Sequence, residues 1–83
     1  MKLNIKRVYN ENNQLIYELN DVNELIYKYD KNGNLIYHKD WNIRSKEIWV
    51  EYINEYDSNG NLIHYKDDTN HNEYWIEYNE RNQ

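Results

Sequence analysis

Apolar and polar side chains alternate with period two along nearly the whole chain, which is the pattern of half-buried β-strands. The alternation predicts strands at Leu3 to Tyr9, Leu15 to Leu19, Leu25 to Asp30, Leu35 to Lys39, Glu47 to Tyr56, Leu62 to Lys66 and Glu73 to Tyr78. In the second strand Leu15, Tyr17 and Leu19 share one face, with Ile16 and Glu18 on the other. Nowhere do apolar residues recur at helical spacing, and Val, Ile, Tyr and Trp fill the apolar slots, so no helix is predicted. Trp41 to Lys46 and Asp68 to Asn72 are predicted loops, too short to separate domains. The expected fold is all-β: one domain over residues 1–83, an antiparallel meander of about seven strands.

Between strands a phrase recurs. Tyr9 to Tyr17 reads YNENNQLIY, Leu19 to Tyr27 LNDVNELIY, Tyr29 to Tyr37 YDKNGNLIY and Tyr56 to His64 YDSNGNLIH. Each copy is a strand end, a polar turn and a returning Leu-Ile. Asn32-Gly33 and Asn59-Gly60 predict two-residue hairpin turns with both central residues at positive φ. A longer unit also repeats, because Glu47 to Tyr52 (EIWVEY) parallels Glu73 to Tyr78 (EYWIEY) and Lys39-Asp40 parallels Lys66-Asp67. Tyr78 to Gln83 reopens the phrase of Tyr9 to Gln14. Repeats of this kind bury a shared core by stacking neighbours.

An 83-residue chain has a thin core, burying about 60–65% of its unfolded surface. With no helix to cover an apolar face, the sheet is expected to curl up, to pair face to face in a homodimer, or to be covered by a partner. No Cys is present, which favours a reducing compartment, and the start of the chain is too polar for a signal peptide. No apolar run reaches the roughly 18 residues of a membrane span. A cytoplasmic protein of a low-GC bacterium, or of a phage or mobile element within one, is expected from the Asn, Lys, Ile and Tyr content. Codon bias does not explain ten Tyr with no Phe, since both are AT-encoded. An aromatic ring with a polar tip is being selected. The net charge of −5 argues against direct binding to nucleic acid, and Lys2, Lys6 and Arg7 form a single small basic cluster.

Catalytic chemistry is poorly supplied, and no enzyme is expected. Ser45, Ser58 and Thr69 lie in no nucleophile motif, and Glu51 with Glu77 reads as solvated acid rather than a glycosidase pair. His38 and Asp40, with His64, Asp67, Asp68 and His71 in the second unit, read as surface groups near turns rather than zinc ligands. Asp30 to Asn34 departs from a calcium loop in its glycine position and lacks a closing Glu. Gly33 and Gly60 belong to turns, not to a phosphate cradle, so no metal and no cofactor are expected. The notable constellation is the pair of Trp strands. Ile48, Val50 and Tyr52 on one, and Tyr74, Ile76 and Tyr78 on the other, are the expected core face. Glu47, Trp49, Glu51, Glu73, Trp75 and Glu77 then share the wet face, as aromatic anchors among acids, and are the expected partner-binding residues.

YDKNGNLI at Tyr29 to Ile36 and YDSNGNLI at Tyr56 to Ile63 resemble the YD repeats of the RHS family. That resemblance implies β-hairpins wound into a continuous sheet. In size, charge and absence of Cys the chain is also similar to small phage-encoded anti-CRISPR proteins. Together these imply a non-enzymatic acidic inhibitor, its partner a nucleic-acid-handling protein with a basic groove, such as a nuclease effector. The alternatives are a toxin-immunity protein and an RHS-like structural repeat fragment.

Overall fold

The computed structural model describes residues 4–78. Seven strands form one antiparallel sheet in chain order: β1 Lys6–Tyr9, β2 Leu15–Leu19, β3 Asn23–Tyr29, β4 Leu35–Asn42, β5 Ile48–Tyr56, β6 Leu62–Asp67 and β7 Asn72–Trp75. The meander is as the alternation predicts, and the sheet is not closed into a barrel. Ends differ from the prediction. The start of the first predicted strand, Leu3, lies outside the described residues, as do Lys2 and residues 79–83. Trp41 and Asn42 are not loop but the end of β4, because they pair with Ile48 and Asn23. The last strand ends at Trp75, with one further ladder bond from Ile76 N–H to the Ile63 carbonyl at 2.9 Å.

The recurring phrase encodes a turn and a bulge together. At Asp30 the carboxylate oxygen Oδ1 accepts the N–H groups of Asn32 and Asn34, both at 2.9 Å. Gly33 N–H returns to the Asp30 carbonyl, and Gly33 has φ +87°. Asp57, Asn59, Asn61 and Gly60 (φ +83°) repeat this geometry, as do Asn10, Asn12, Gln14 and Asn13 (φ 63°). These are type I turns with one left-handed residue, not the two-residue turns predicted from Asn-Gly. Asn32 and Asn59 do not have positive φ. The side chain at the first turn position supplies the acceptor, so the turn closes over three residues instead of two. Asp30 and Asp57 are consequently held below the ordinary carboxylate range, chiefly by the backbone N–H groups of Asn34 and Asn61.

Each of these three turns is followed by a register shift. Val8 faces Tyr17 but Tyr9 faces Leu15; Lys28 faces Tyr37 but Tyr29 faces Leu35; Glu55 faces His64 but Tyr56 faces Leu62. The Ile of each of these three Leu-Ile pairs (Ile16, Ile36 and Ile63) is the extra residue of a β-bulge. Leu15, Leu35 and Leu62 lie beyond the last pair on their far side, and a side chain from the next strand, or for Leu62 from the segment just after β7, serves each carbonyl. Tyr29 Oη donates to Leu15 O at 2.8 Å, Asn54 Nδ2 to Leu35 O at 3.1 Å and Tyr78 Oη to Leu62 O at 2.9 Å. The copy at Leu19 to Tyr27 does not share this fold. Asn20 Oδ1 takes the N–H groups of Val22 and Asn23, the turn closes one residue earlier, and no shift follows.

No hydrophobic side chain among the described residues is buried. The molecule measures 55 × 32 × 16 Å, with a radius of gyration of 15.6 Å against about 11.8 Å for a compact chain of this length. The predicted core face is therefore one uncovered side of a single layer. Register assigns the two sides. Leu25, Tyr27, His38, Val50, Tyr52, Tyr65 and Tyr74 lie on one, here called the ladder face. Tyr17, Glu24, Tyr37, Lys39, Trp41, Glu51, Glu55, His64, Lys66, Glu73 and Trp75 lie on the other, the charged face.

Candidate protein-binding surface

Rings and carboxylates knit the charged face across strands. Tyr17 Oη donates to Glu24 Oε2 at 2.5 Å and Trp41 Nε1 to Glu24 Oε1 at 2.7 Å, joining β2, β3 and β4. Tyr37 Oη donates to Glu51 Oε2 at 2.6 Å, joining β4 and β5. His64 sits between two carboxylates, with Nδ1 at 2.5 Å from Glu55 and Nε2 at 2.8 Å from Glu73, so β5, β6 and β7 are tied through one imidazole. Its ring lies flat on Trp75, centroids 3.7 Å apart and planes within 4°. Lys39 and Lys46 cover the Trp41 ring at 5.7 and 5.3 Å, and Lys28 covers Tyr37 at 5.3 Å.

These contacts set the protonation states. The two glutamate hydrogen bonds hold the His64 pKa above its ordinary value, against a smaller opposing effect of burial. An acceptor at each nitrogen favours the doubly protonated ring over either neutral tautomer. Burial and the Glu51 bond push Tyr37 up to about 12. Hydrogen bonds from Tyr17 and Trp41 hold Glu24 below the usual range. The many Tyr thus have a physical reason: five of the ten hydroxyls donate to a carboxylate or a carbonyl, which Phe could not do.

Of the six residues expected to bind a partner, Trp49 and Trp75 are exposed, at 47% and 72%. They do not form one patch. Trp75 is level with Glu55 through His64, six residues along β5 from Trp49, about 20 Å at the strand rise. Trp49 is the extra residue of a bulge between Val50, facing Asp40, and Ile48, facing Trp41. Ile48 is accordingly separated from the face of Val50 and Tyr52 on which alternation places it. Glu51 faces Lys39 and Glu73 faces Lys66, so the face is mixed in charge rather than uniformly acidic. Glu51 and Glu73 are also held by Tyr37 and His64, whereas Glu47 and Glu77 are exposed.

Acidity is nevertheless concentrated. Residues 47–78 carry eight carboxylates and a single Lys, Lys66, while residues 4–46 carry six carboxylates against seven Lys and Arg. All six expected residues fall in the acidic half, β5 to β7. That asymmetry is legible by counting charge per half, and a single net charge conceals it. The net of Tyr17, Glu24, Tyr37, Trp41, Glu55 and His64 could not be read without the strand register.

Among the described residues no group of three or more His, Cys, Asp or Glu side chains is arranged to hold a metal, and no helix is long and apolar enough to cross a membrane. His38 and His64 do not occupy equivalent places, because Tyr37-His38 in the first unit becomes His64-Tyr65 in the second and the rings exchange faces. No family model matches the chain, and neither a curated protein nor a solved structure matches it significantly.

Proposed function

We propose that the protein is a non-enzymatic protein-binding module whose β5–β7 half docks into a basic groove of a nucleic-acid-handling protein and inhibits it. The observation that carries this reading is the segregation of charge: eight carboxylates against Lys66 over residues 47–78, beside the exposed Trp75. A negative surface of this density steers encounter with a groove built for phosphate, and an aromatic anchor supplies a desolvated contact once docked. A nuclease effector of the kind that anti-CRISPR proteins inhibit has such a groove. The test is an affinity capture from a low-GC bacterial lysate, followed by competition with DNA and RNA. A retained protein should be released by nucleic acid and by raised salt. Glu47→Gln, Asp68→Asn and Glu77→Gln together should abolish retention without disturbing the fold, since these side chains are exposed and outside the ring–carboxylate net. Retention indifferent to nucleic acid would refute the reading.

The repeated turn-and-bulge unit favours a second reading, an RHS-like structural repeat fragment. It predicts that the three neutralising substitutions change no interaction.

A further inference from the structure

The ladder face differs from the charged face in one decisive respect: among the described residues, the charged side chains on it are already hydrogen-bonded within the sheet. Arg7 Nε bonds Glu18 at 2.8 Å. Asp40 accepts Asn23 Nδ2 at 2.6 Å. Asp67, 7% exposed, accepts from Tyr65, from the Thr69 and Asn70 N–H groups and from Asn70 Nδ2. Across its middle run five rings, one from each of β3 to β7. Tyr27 stacks on His38 at 4.5 Å, His38 meets Tyr52 at 5.5 Å, Tyr52 meets Tyr65 at 5.7 Å and Tyr65 stacks on Tyr74 at 5.8 Å. Two of these contacts are stacked and two are tilted, at 58° and 36°, so ring faces are turned largely toward neighbouring rings. That disfavours a flat sugar or base as ligand, because stacking would need the ring faces. Edges and Leu25 and Val50 methyls suit another sheet.

We infer that two copies of the chain pack face to face through this surface, ladder against ladder, with Tyr52, the central ring, nearest the two-fold axis. Three observations select a second copy as the occupant. The two carboxylates of the face that lack a cation, Asp40 and Asp67, are occupied by neutral donors, and the rings and methyls between them are chemically complementary to those of a second copy. The single layer buries no hydrophobic residue among those described, so its own folding needs this face covered. Contact over half of the 55 × 32 Å outline would remove roughly 900 Å² per copy, the size of a stable specific interface. Stacked sheets pack about 10 Å apart with strands near −30°, which lets the ring edges of one ladder interleave with those of the other. Asn23, Asn42 and Asn72 form a polar rim at one end. The pairing uses the side opposite the proposed docking surface and does not depend on that proposal.

Sedimentation equilibrium of the full chain between about 1 and 100 μM tests it. The expected species has twice the 10.4 kDa chain mass. Tyr52→Glu and Tyr65→Glu should each weaken the dimer at least roughly 30-fold, whereas Lys39→Gln on the opposite face should leave it unchanged. The absence of Cys allows a second readout that survives any folding defect of the glutamate variants. Tyr52→Cys should react slowly with a thiol reagent, faster on dilution, while Glu55→Cys reacts fast at all concentrations. A cooperatively folded monomer at 100 μM would overturn the inference. So would a dimer in which the cysteine at position 52 stays reactive. A ladder face covered by a different protein would show as a monomer protected at position 52 only in lysate, and would equally overturn it.

Discussion

The two long units, Tyr29 to Tyr52 and Tyr56 to Tyr78, share a phrase and part company after it. Both open with the same Asp-anchored turn and the same Leu-Ile bulge. They then place the second loop differently. In the second unit Asp67 anchors it, bonding the N–H groups of Thr69 and Asn70 ahead of His71 at φ 59°. In the first unit Asn42 does so, bonding Arg44 and Ser45 ahead of Lys46 at φ 66°, two residues further from Lys-Asp. Asp40 is instead engaged by Asn23, and β4 runs on through Trp41. The delay forces a bulge at Trp49, while Trp75 keeps its register and stacks on His64. Closely similar strings, EIWVEY and EYWIEY, thus yield one Trp at an irregular strand end and one built into a cross-strand clamp. The residue that anchors a loop decides what the following strand does.

The shared part of the comparison can be broken at its glycines, where the largest effect is expected. Gly33→Ala and Gly60→Ala each place a Cβ at positive φ and should cost about 1–2 kcal/mol. A new Cβ at Gly33 meets Gln14 Nε2 at an ordinary 3.5 Å and at Gly60 meets nothing, so denaturant midpoints should fall equally. The divergent part is sharpened by Trp75→Ala, expected to cost about 1 kcal/mol, or 4–8 °C in Tm, against less than about 0.5 kcal/mol for Trp49→Ala. Equal losses would mean that the clamp contributes nothing.

The units also differ in pH response, at the aligned positions Tyr37 and His64. His64 has its folded pKa above its unfolded value near 6.5, so its contribution is fully present below that value and is lost as pH rises through the folded pKa. Hydrogen exchange of β7 amides, corrected for base catalysis, should therefore accelerate as pH rises through the folded pKa, and Glu55→Gln with Glu73→Gln should abolish that dependence. Tyr37, at the aligned position, stays neutral until pH approaches about 12. In a spectrophotometric titration, the smallest of these effects, Tyr37→Phe should remove a late-titrating tyrosine.

The strand order and the faces of Glu51, Glu73, Val50, Tyr52 and Tyr74 were legible because period two fixes facing without coordinates. Turn type was not, since Asn-Gly suggests a two-residue hairpin unless the Asp two residues earlier is read as an acceptor. Nor was the bulge at Trp49, which depends on which of Asp40 and Asn42 anchors the loop. The missing core was half legible: the absence of a helix foretold an uncovered face, while burial on that face was assumed. The mixed charge of the Trp surface was not legible, because Lys39 and Lys66 are brought opposite Glu51 and Glu73 by pairing alone.

Strands in this sheet touch only their chain neighbours. Stability is then a chain of nearest-neighbour links with no contact that spans the whole molecule. Such an architecture frays inward from its rims toward β4, tolerates gain or loss of an entire hairpin at either border, and can lengthen by duplication of a short stretch of gene.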